Sequence, residues 1–121
     1  MIRHHAASFK NALEGLSWVI KTERHFRIHL VLSVMAVFLS VILGISYFEF
    51  LIIMLLVFFG LAIEMINTSI EEATDAIDTK WRQDLKVAKD VAAGAMLLFS
   101  VGSLTIAIII FVPKLLSLAM P

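Results

Sequence analysis

Residues 50–75 read FLIIMLLVFFGLAIEMINTSIEEATD. The run 50–63 is apolar throughout, Gly60 included, and passes directly into Glu64. No helix-breaking residue follows before Asp75, so positions can be placed by rotating about 100° per residue. Relative to Glu64, Asn67 falls near −60°, Glu71 near −20° and Asp75 near +20°, by that rule a single narrow stripe about 16 Å long. Gly60, one turn earlier, shares the face and leaves room for a neighbour to approach. Glu72 points about 80° away, toward solvent. One reading is a polar helix end rising from a bilayer with its carboxylates in water. Glu64 resists that reading, because a carboxylate at that depth costs roughly 2.5–3.5 kcal/mol on insertion scales unless paired, protonated or metal-bound. The stretch therefore predicts a membrane-spanning helix whose inner end does chemistry.

The rest of the chain agrees with a membrane setting. Of its 121 residues 60% are hydrophobic and 17% charged, with a mean hydropathy of +0.95. A soluble domain this small needs more polar surface, so the excess apolar surface faces lipid. The length allows one domain, 1–121. Residues 9–21, FKNALEGLSWVIK, set Phe9, Ala12, Leu13, Leu16 and Ile20 at three- and four-residue steps against Lys10, Asn11, Glu14 and Lys21. An interfacial surface helix and the outer turns of a spanning helix both fit, and the polar content favours the first. A charged collar, Lys21-Thr-Glu-Arg-His-Phe-Arg-Ile-His29, leads into a first span over about 26–45. The turn at 44–49 leads into a second span over about 48–70. A third covers about 91–112 and is expected to end at Pro113.

Arg3, Lys10, Lys21, Arg24 and Arg27 precede the first span, and Lys80, Arg82, Lys86 and Lys89 lie between the second and third. The 44–49 turn holds no Lys or Arg, so the positive-inside tendency predicts a cytoplasmic N-terminus and an outside C-terminus, with Lys114 as the exception. The first apolar run starts near Leu30 without a small-residue cleavage pattern, so no cleaved signal peptide is expected. Ten basic and ten acidic residues cancel, which gives no general attraction to nucleic acid. Cysteine is absent, which excludes disulfides and thiolate metal sites.

Two clusters can join the stripe. Glu23 sits in the collar at a similar membrane level. Lys86, Lys89 and Asp90 share one face at the start of the third helix. Carboxylates, an amide and lysines at one membrane edge suit Mg²⁺ and phosphate oxygens, and so phosphoryl transfer, which is mostly positioning and charge neutralisation. Simple ion pairing between Lys89 and the stripe is the plainer alternative. Other enzyme signatures fail. The five glycines are scattered, with no phosphate-binding loop. His4, His5, His25 and His29 form no zinc spacing and read as interfacial, with His29 able to line the site. Asn67-Thr-Ser69 matches a glycosylation sequon without meaning at the inner bilayer edge. Gly94, Ser100 and Gly102 permit close helix packing.

The pattern Glu64-x-x-Asn67-x-x-Ile70-Glu71-x-x-x-Asp75, followed by Ala88-Lys89-Asp90, resembles the small prokaryotic diacylglycerol kinases. Ser8-Phe9-x-Asn11-Ala12-x-x-Gly15 and Glu23-x-x-Phe26-Arg27-x-His29 look like their Gram-positive branch, the undecaprenol kinases. The resemblance covers roughly residues 8–112, with several separated motifs in order. It implies an all-α membrane protein of three transmembrane helices plus an N-terminal amphipathic surface helix, assembled as a homotrimeric helical bundle with active sites shared between subunits. It also implies ATP- and Mg²⁺-dependent phosphorylation of a lipid alcohol at the cytoplasmic face of the bacterial inner membrane. By matching position, Glu64 resembles the catalytic base and Asn67 a group orienting the reacting centre. Glu23 and Glu71 look like metal ligands, and Lys89 and Asp90 like nucleotide contacts. Asn11, Asp75, Lys80 and Arg82 fall near the nucleotide. His29 stands on the substrate side where diacylglycerol-type members tend to carry a glutamate, which favours a polyprenol over diacylglycerol. A small ion-conducting oligomer and a passive scaffold are the readings from other classes.

Overall fold

The structure is a computed structural model that describes residues 2–120, with side chains from Ala7 onward. It consists of four helices, α1 (Ile2–Thr22), α2 (Arg24–Ile42), α3 (Tyr47–Ile77) and α4 (Gln83–Ala119). The side chains of Arg3, His4 and His5 lie outside the described residues. Among the described residues there is no strand. α2, α3 and α4 are each long and apolar enough to cross a membrane. At about 1.5 Å per residue, the 31 residues of α3 extend about 46 Å and the 37 of α4 about 55 Å. Both therefore overrun a hydrocarbon layer of about 30 Å. Counted from Tyr47, about 20 residues cross that layer, so Glu64 falls at its inner edge and the overhang of α3 is the polar stretch from Asn67 to Asp75.

The turn between α2 and α3 is closed by local chemistry. Gly44 adopts a left-handed φ of 56°. Its N–H donates to Val41 O at 3.2 Å, and the Ile45 N–H donates to Ser40 O at 3.3 Å. This is a Schellman close, which consumes carbonyls that the helix end would otherwise leave bare in an apolar setting. Ser46 then caps α3: its hydroxyl accepts from the Glu49 N–H at 3.2 Å, and the Ser46 N–H donates to Glu49 Oε2 at 2.6 Å. The two helices thus run antiparallel through a short link, returning α3 to the collar end.

At that end a second corner joins α1 to α2. Arg27 Nη1 donates to the carbonyls of Ile20 at 3.3 Å and Lys21 at 2.8 Å, satisfying the C-terminus of α1. Val19 and Phe26 are buried on either side of the corner. The pivot residue is Glu23, which N-caps α2 in an extended backbone conformation without a side-chain capping bond.

The core is thin and concentrated toward the far end, where Ile53, Ile110 and Phe111 are buried against Leu39, Leu43 and Leu56. Leu, Ile, Val and Phe cover much of the exterior, among them Phe38, Phe58, Phe59, Leu98 and Ile109, all more than half exposed. That exterior suits lipid or other copies of the chain, not water.

The expected end of the third span at Pro113 is corrected: α4 continues through Pro113 to Ala119. Proline deletes one backbone donor, and a spanning helix tolerates that loss where neighbouring groups compensate. Lys114 lies 3.8 Å from Glu49 at the start of α3 and ties the continuing turn to it. The helices also begin earlier than the apolar periodicity indicated, α1 at Ile2 and α4 at Gln83, because their first turns are polar.

Gly60 is where α3 and α4 approach most tightly among the glycines. A Cβ added there would lie 2.8 Å from Phe99 Cε1. Gly60→Ala is expected to destabilise the protein by about 1–3 kcal/mol through overpacking. Thermal unfolding in detergent should show it, and the double variant Gly60→Ala/Phe99→Leu should lose less than the sum of the single changes.

Candidate active site

The predicted stripe exists, and its inner half is enclosed by the chain itself. The buried residues of α3 include Gly60, Glu64, Thr68 and Thr74, which share with Ile53 the face turned to α2 and α4. Glu64 is only 5% exposed. The imidazole of His29 on α2 stands beside it, with Nε2 to Oε2 at 3.8 Å. That gap is longer than a hydrogen bond, so the carboxylate is screened from water without being tied to a cation.

One turn outward, Asn67 Nδ2 donates to Glu71 Oε1 at 3.2 Å. This i, i+4 bond fixes the carboxylate while Asn67 Oδ1 remains buried with no partner. Such an orphaned acceptor calls for a donor or a cation. Thr74 Oγ1 donates to the Glu71 carbonyl at 2.8 Å, binding the exposed helix end to itself. Asp75 accepts from Lys89 Nζ at 2.5 Å across the gap from α3 to α4. The plainer alternative for Lys89, pairing with the stripe, is therefore realised in the chain by itself. Lys86 and Asp90 pair along α4, so Asp90 is drawn to its own helix.

Beyond the Lys89–Asp75 bridge lies a polar cavity of about 310 Å³. Asp75, Lys80, Arg82 and Lys89, all singled out from sequence, line it together with Asp78 and Trp81. The α3–α4 connection builds it from short-range bonds. The Lys80 N–H donates to Asp78 Oδ1 at 2.9 Å, and Arg82 holds Asp84 through Nε at 3.2 Å and Nη2 at 2.6 Å. The bond to Asp84 raises the Arg82 guanidinium above its ordinary pKa and lowers the Asp84 carboxyl in return. Basic groups lining a cavity of this size suit a multiply charged anion such as a polyphosphate. Sequence reasoning missed Trp81, which is exposed beside Lys80 and Arg82. Its signal was there: an aromatic residue flanked by cations in a loop.

Three predicted residues are not gathered by one chain. Asn11 lies exposed on α1, and Asp90 is paired with Lys86. Glu23 sits at the α1–α2 corner, and among the described residues no group of three or more His, Cys, Asp or Glu side chains is placed to hold a metal ion. Mg²⁺ does not demand such a cage, since it is commonly held by one or two carboxylates plus substrate phosphates and water. The oxygen-only donors Glu23 and Glu71, with the free Asn67 Oδ1, match its preference.

Comparison with known proteins identifies the family. The sequence model of one family, prokaryotic diacylglycerol kinase, matches residues 10–111. The chain belongs to the prokaryotic diacylglycerol kinase family. It is 37% identical to the undecaprenol kinase of Bacillus subtilis (strain 168) over 108 residues, 89% of this chain and 88% of that protein. It is 30% identical to a diacylglycerol kinase of Synechocystis over 112 residues, 92% of this chain and 64% of that protein. A diacylglycerol kinase of Helicobacter pylori (strain J99) is 33% identical over 85 residues. The protein is thus a membrane-embedded lipid kinase, a phosphotransferase acting on a lipid alcohol, as the sequence motifs of the family implied.

Lys89 and Asp75 are both more than a third exposed, at 37% and 56% of their side chains, so their bridge contributes at most about 1 kcal/mol. Lys89→Met should change the unfolding temperature little. If Lys89 serves the nucleotide, the same variant should raise the nucleotide KM at least tenfold; a lysine that only braces the helices would leave KM unchanged.

Proposed function

We propose that the protein transfers a phosphoryl group from ATP, bound with Mg²⁺, to the hydroxyl of undecaprenol at the cytoplasmic face of the bacterial inner membrane. The observation that carries the reading is Glu64, a buried carboxylate at the end of an apolar helix with an imidazole beside it. Glu64 takes the proton from the lipid hydroxyl as that oxygen attacks phosphorus. His29 approaches the acceptor from the α2 side. Asn67 fixes Glu71 and leaves its own oxygen toward the reacting centre. Glu23 and Glu71 hold Mg²⁺, which when bound neutralises phosphate charge. Lys89, Lys80 and Arg82, with Asp75, Asp90 and Asn11, surround the nucleotide.

A homotrimer supports this arrangement in two ways. Glu23, at the α1–α2 corner, and Glu71, on the exposed end of α3, would serve one metal-bound nucleotide across a subunit boundary. The apolar exterior also offers ample contact surface. Positive residues at the collar end favour the cytoplasmic side for that end and the outside for the far end. The whole chain, 1–121, acts as one membrane kinase domain.

Undecaprenol is preferred over diacylglycerol because His29 stands beside Glu64, and because the Bacillus relative named for undecaprenol aligns over most of both chains. The diacylglycerol kinases among the relatives keep diacylglycerol as the second reading. An ion-conducting oligomer finds less support. Between His29 and the far end the bundle interior is apolar apart from serines, and the polarity sits at one end.

Purified protein supplied with labelled ATP, Mg²⁺ and each lipid alcohol should yield undecaprenyl phosphate more efficiently than phosphatidic acid. Glu64→Gln should lower kcat by about 10²–10⁴-fold, the span of general base catalysis, while still inserting. Near-normal turnover in that variant would remove Glu64 from the role of base.

A further inference from the structure

We infer that the acceptor's hydrocarbon chain threads into the chain's own bundle, in an apolar cleft between α2, α3 and α4 that opens beside His29. The inference rests on the lipid-kinase reading above and adds where the lipid tail goes and which tail fits.

The cleft measures about 330 Å³, at the lower end of ordinary small-ligand pockets. Its lining is apolar except for His29 and three serines, Ser33, Ser100 and Ser103. Two features join it to the chemistry. His29, 3.8 Å from the Glu64 carboxylate, is itself part of the wall. Gly60, one helical turn from Glu64, is another wall residue. From His29 the wall runs along α2 to Ala36, about 11 Å at 1.5 Å per residue. A lipid whose hydroxyl lies at Glu64 therefore meets the mouth of a cleft pointing toward the middle of the bilayer.

The chemistry of the walls selects the tail. Ser100 already donates to the Met96 carbonyl at 2.8 Å, which leaves the unpartnered hydroxyl of Ser103, with Ser33 and His29, as the polar groups of a lining that is otherwise apolar. A diacylglycerol carries two ester groups next to its hydroxyl, whose oxygens lose water on entry and gain few donors. It also brings two diverging chains to the cleft, where a prenol brings one. A polyisoprenoid alcohol has one chain and no oxygen below its hydroxyl. The cleft fits the single unesterified chain, and its first few isoprene units fill it.

The test uses the full-length protein in lipid nanodiscs with Mg²⁺-ATP and prenols from one isoprene unit up to undecaprenol. KM should fall with each added unit and then level off once the cleft is filled. Ser103→Phe, which places a ring in the cleft, should raise KM for long prenols at least tenfold. It should leave KM for the one-unit prenol and for ATP near wild type, with the oligomeric state by light scattering unchanged. A KM indifferent to prenol length in the wild type overturns the inference, even if Ser103→Phe fails to fold. So does a Ser103→Phe protein that binds all prenols as before, or one that changes oligomeric state, which would mean a neighbouring helix fills the cleft. A wild-type enzyme that phosphorylates diacylglycerol and no prenol removes the polyprenol reading itself. A length-independent prenol kinase removes only the cleft.

Discussion

Water does not reach the centre of a bilayer, so polar groups carried past the interface by a spanning helix must be satisfied inside the protein. Here that constraint falls on Glu64. The helix before it is apolar, and the residue itself is buried by the same chain. Its partner is not a lysine or arginine at contact distance but a histidine at 3.8 Å. The carboxylate is therefore enclosed by the chain without a cation at contact distance.

The remainder of the architecture can be understood as the means of keeping Glu64 where it is. The Schellman close at Gly44 and the capping box at Ser46 turn α3 back with few residues and few bare backbone groups. That sets the depth of everything downstream on α3. Arg27 fastens the end of α1 to the beginning of α2 and leaves Glu23 at the pivot. The Lys89–Asp75 bridge brings α4 to the end of the stripe. The two ends of the bundle differ accordingly. The far end is packed apolar core with a Lys114–Glu49 pair, and the collar end holds the carboxylates, the cavity of mixed charge and the mouth of the cleft.

Much of this was legible in the order of residues. The apolar run into Glu64 without a breaker forced a helix, and a helix forced Asn67, Glu71 and Asp75 onto one face. The gathering of Asp75, Lys80, Arg82 and Lys89 followed from the short polar link between two long apolar stretches. Other features were hidden for physical reasons. Pro113 reads as a stop because in water its lost hydrogen bond and ring clash usually end a helix; inside a bundle the helix continues past it to Ala119. The cleft was invisible because its serines are divided between α2 and α4, far apart in the sequence. The contact of His29 with Glu64 depends on the depth set by the turn at Gly44, a distance no local pattern records.

The account stands on one arrangement: acidic groups of α3, joined by Glu23, surround the metal-bound nucleotide at the collar end. The most direct measurement replaces Mg²⁺ with Mn²⁺ on a non-hydrolysable nucleotide and records the ¹³C resonances of glutamate carboxyls in the bilayer-reconstituted protein. The account predicts that Glu23, Glu64 and Glu71 broaden strongly while Glu49, at the opposite end of α3, is unaffected. Sharp signals from Glu64 and Glu71 in the presence of bound nucleotide would contradict it.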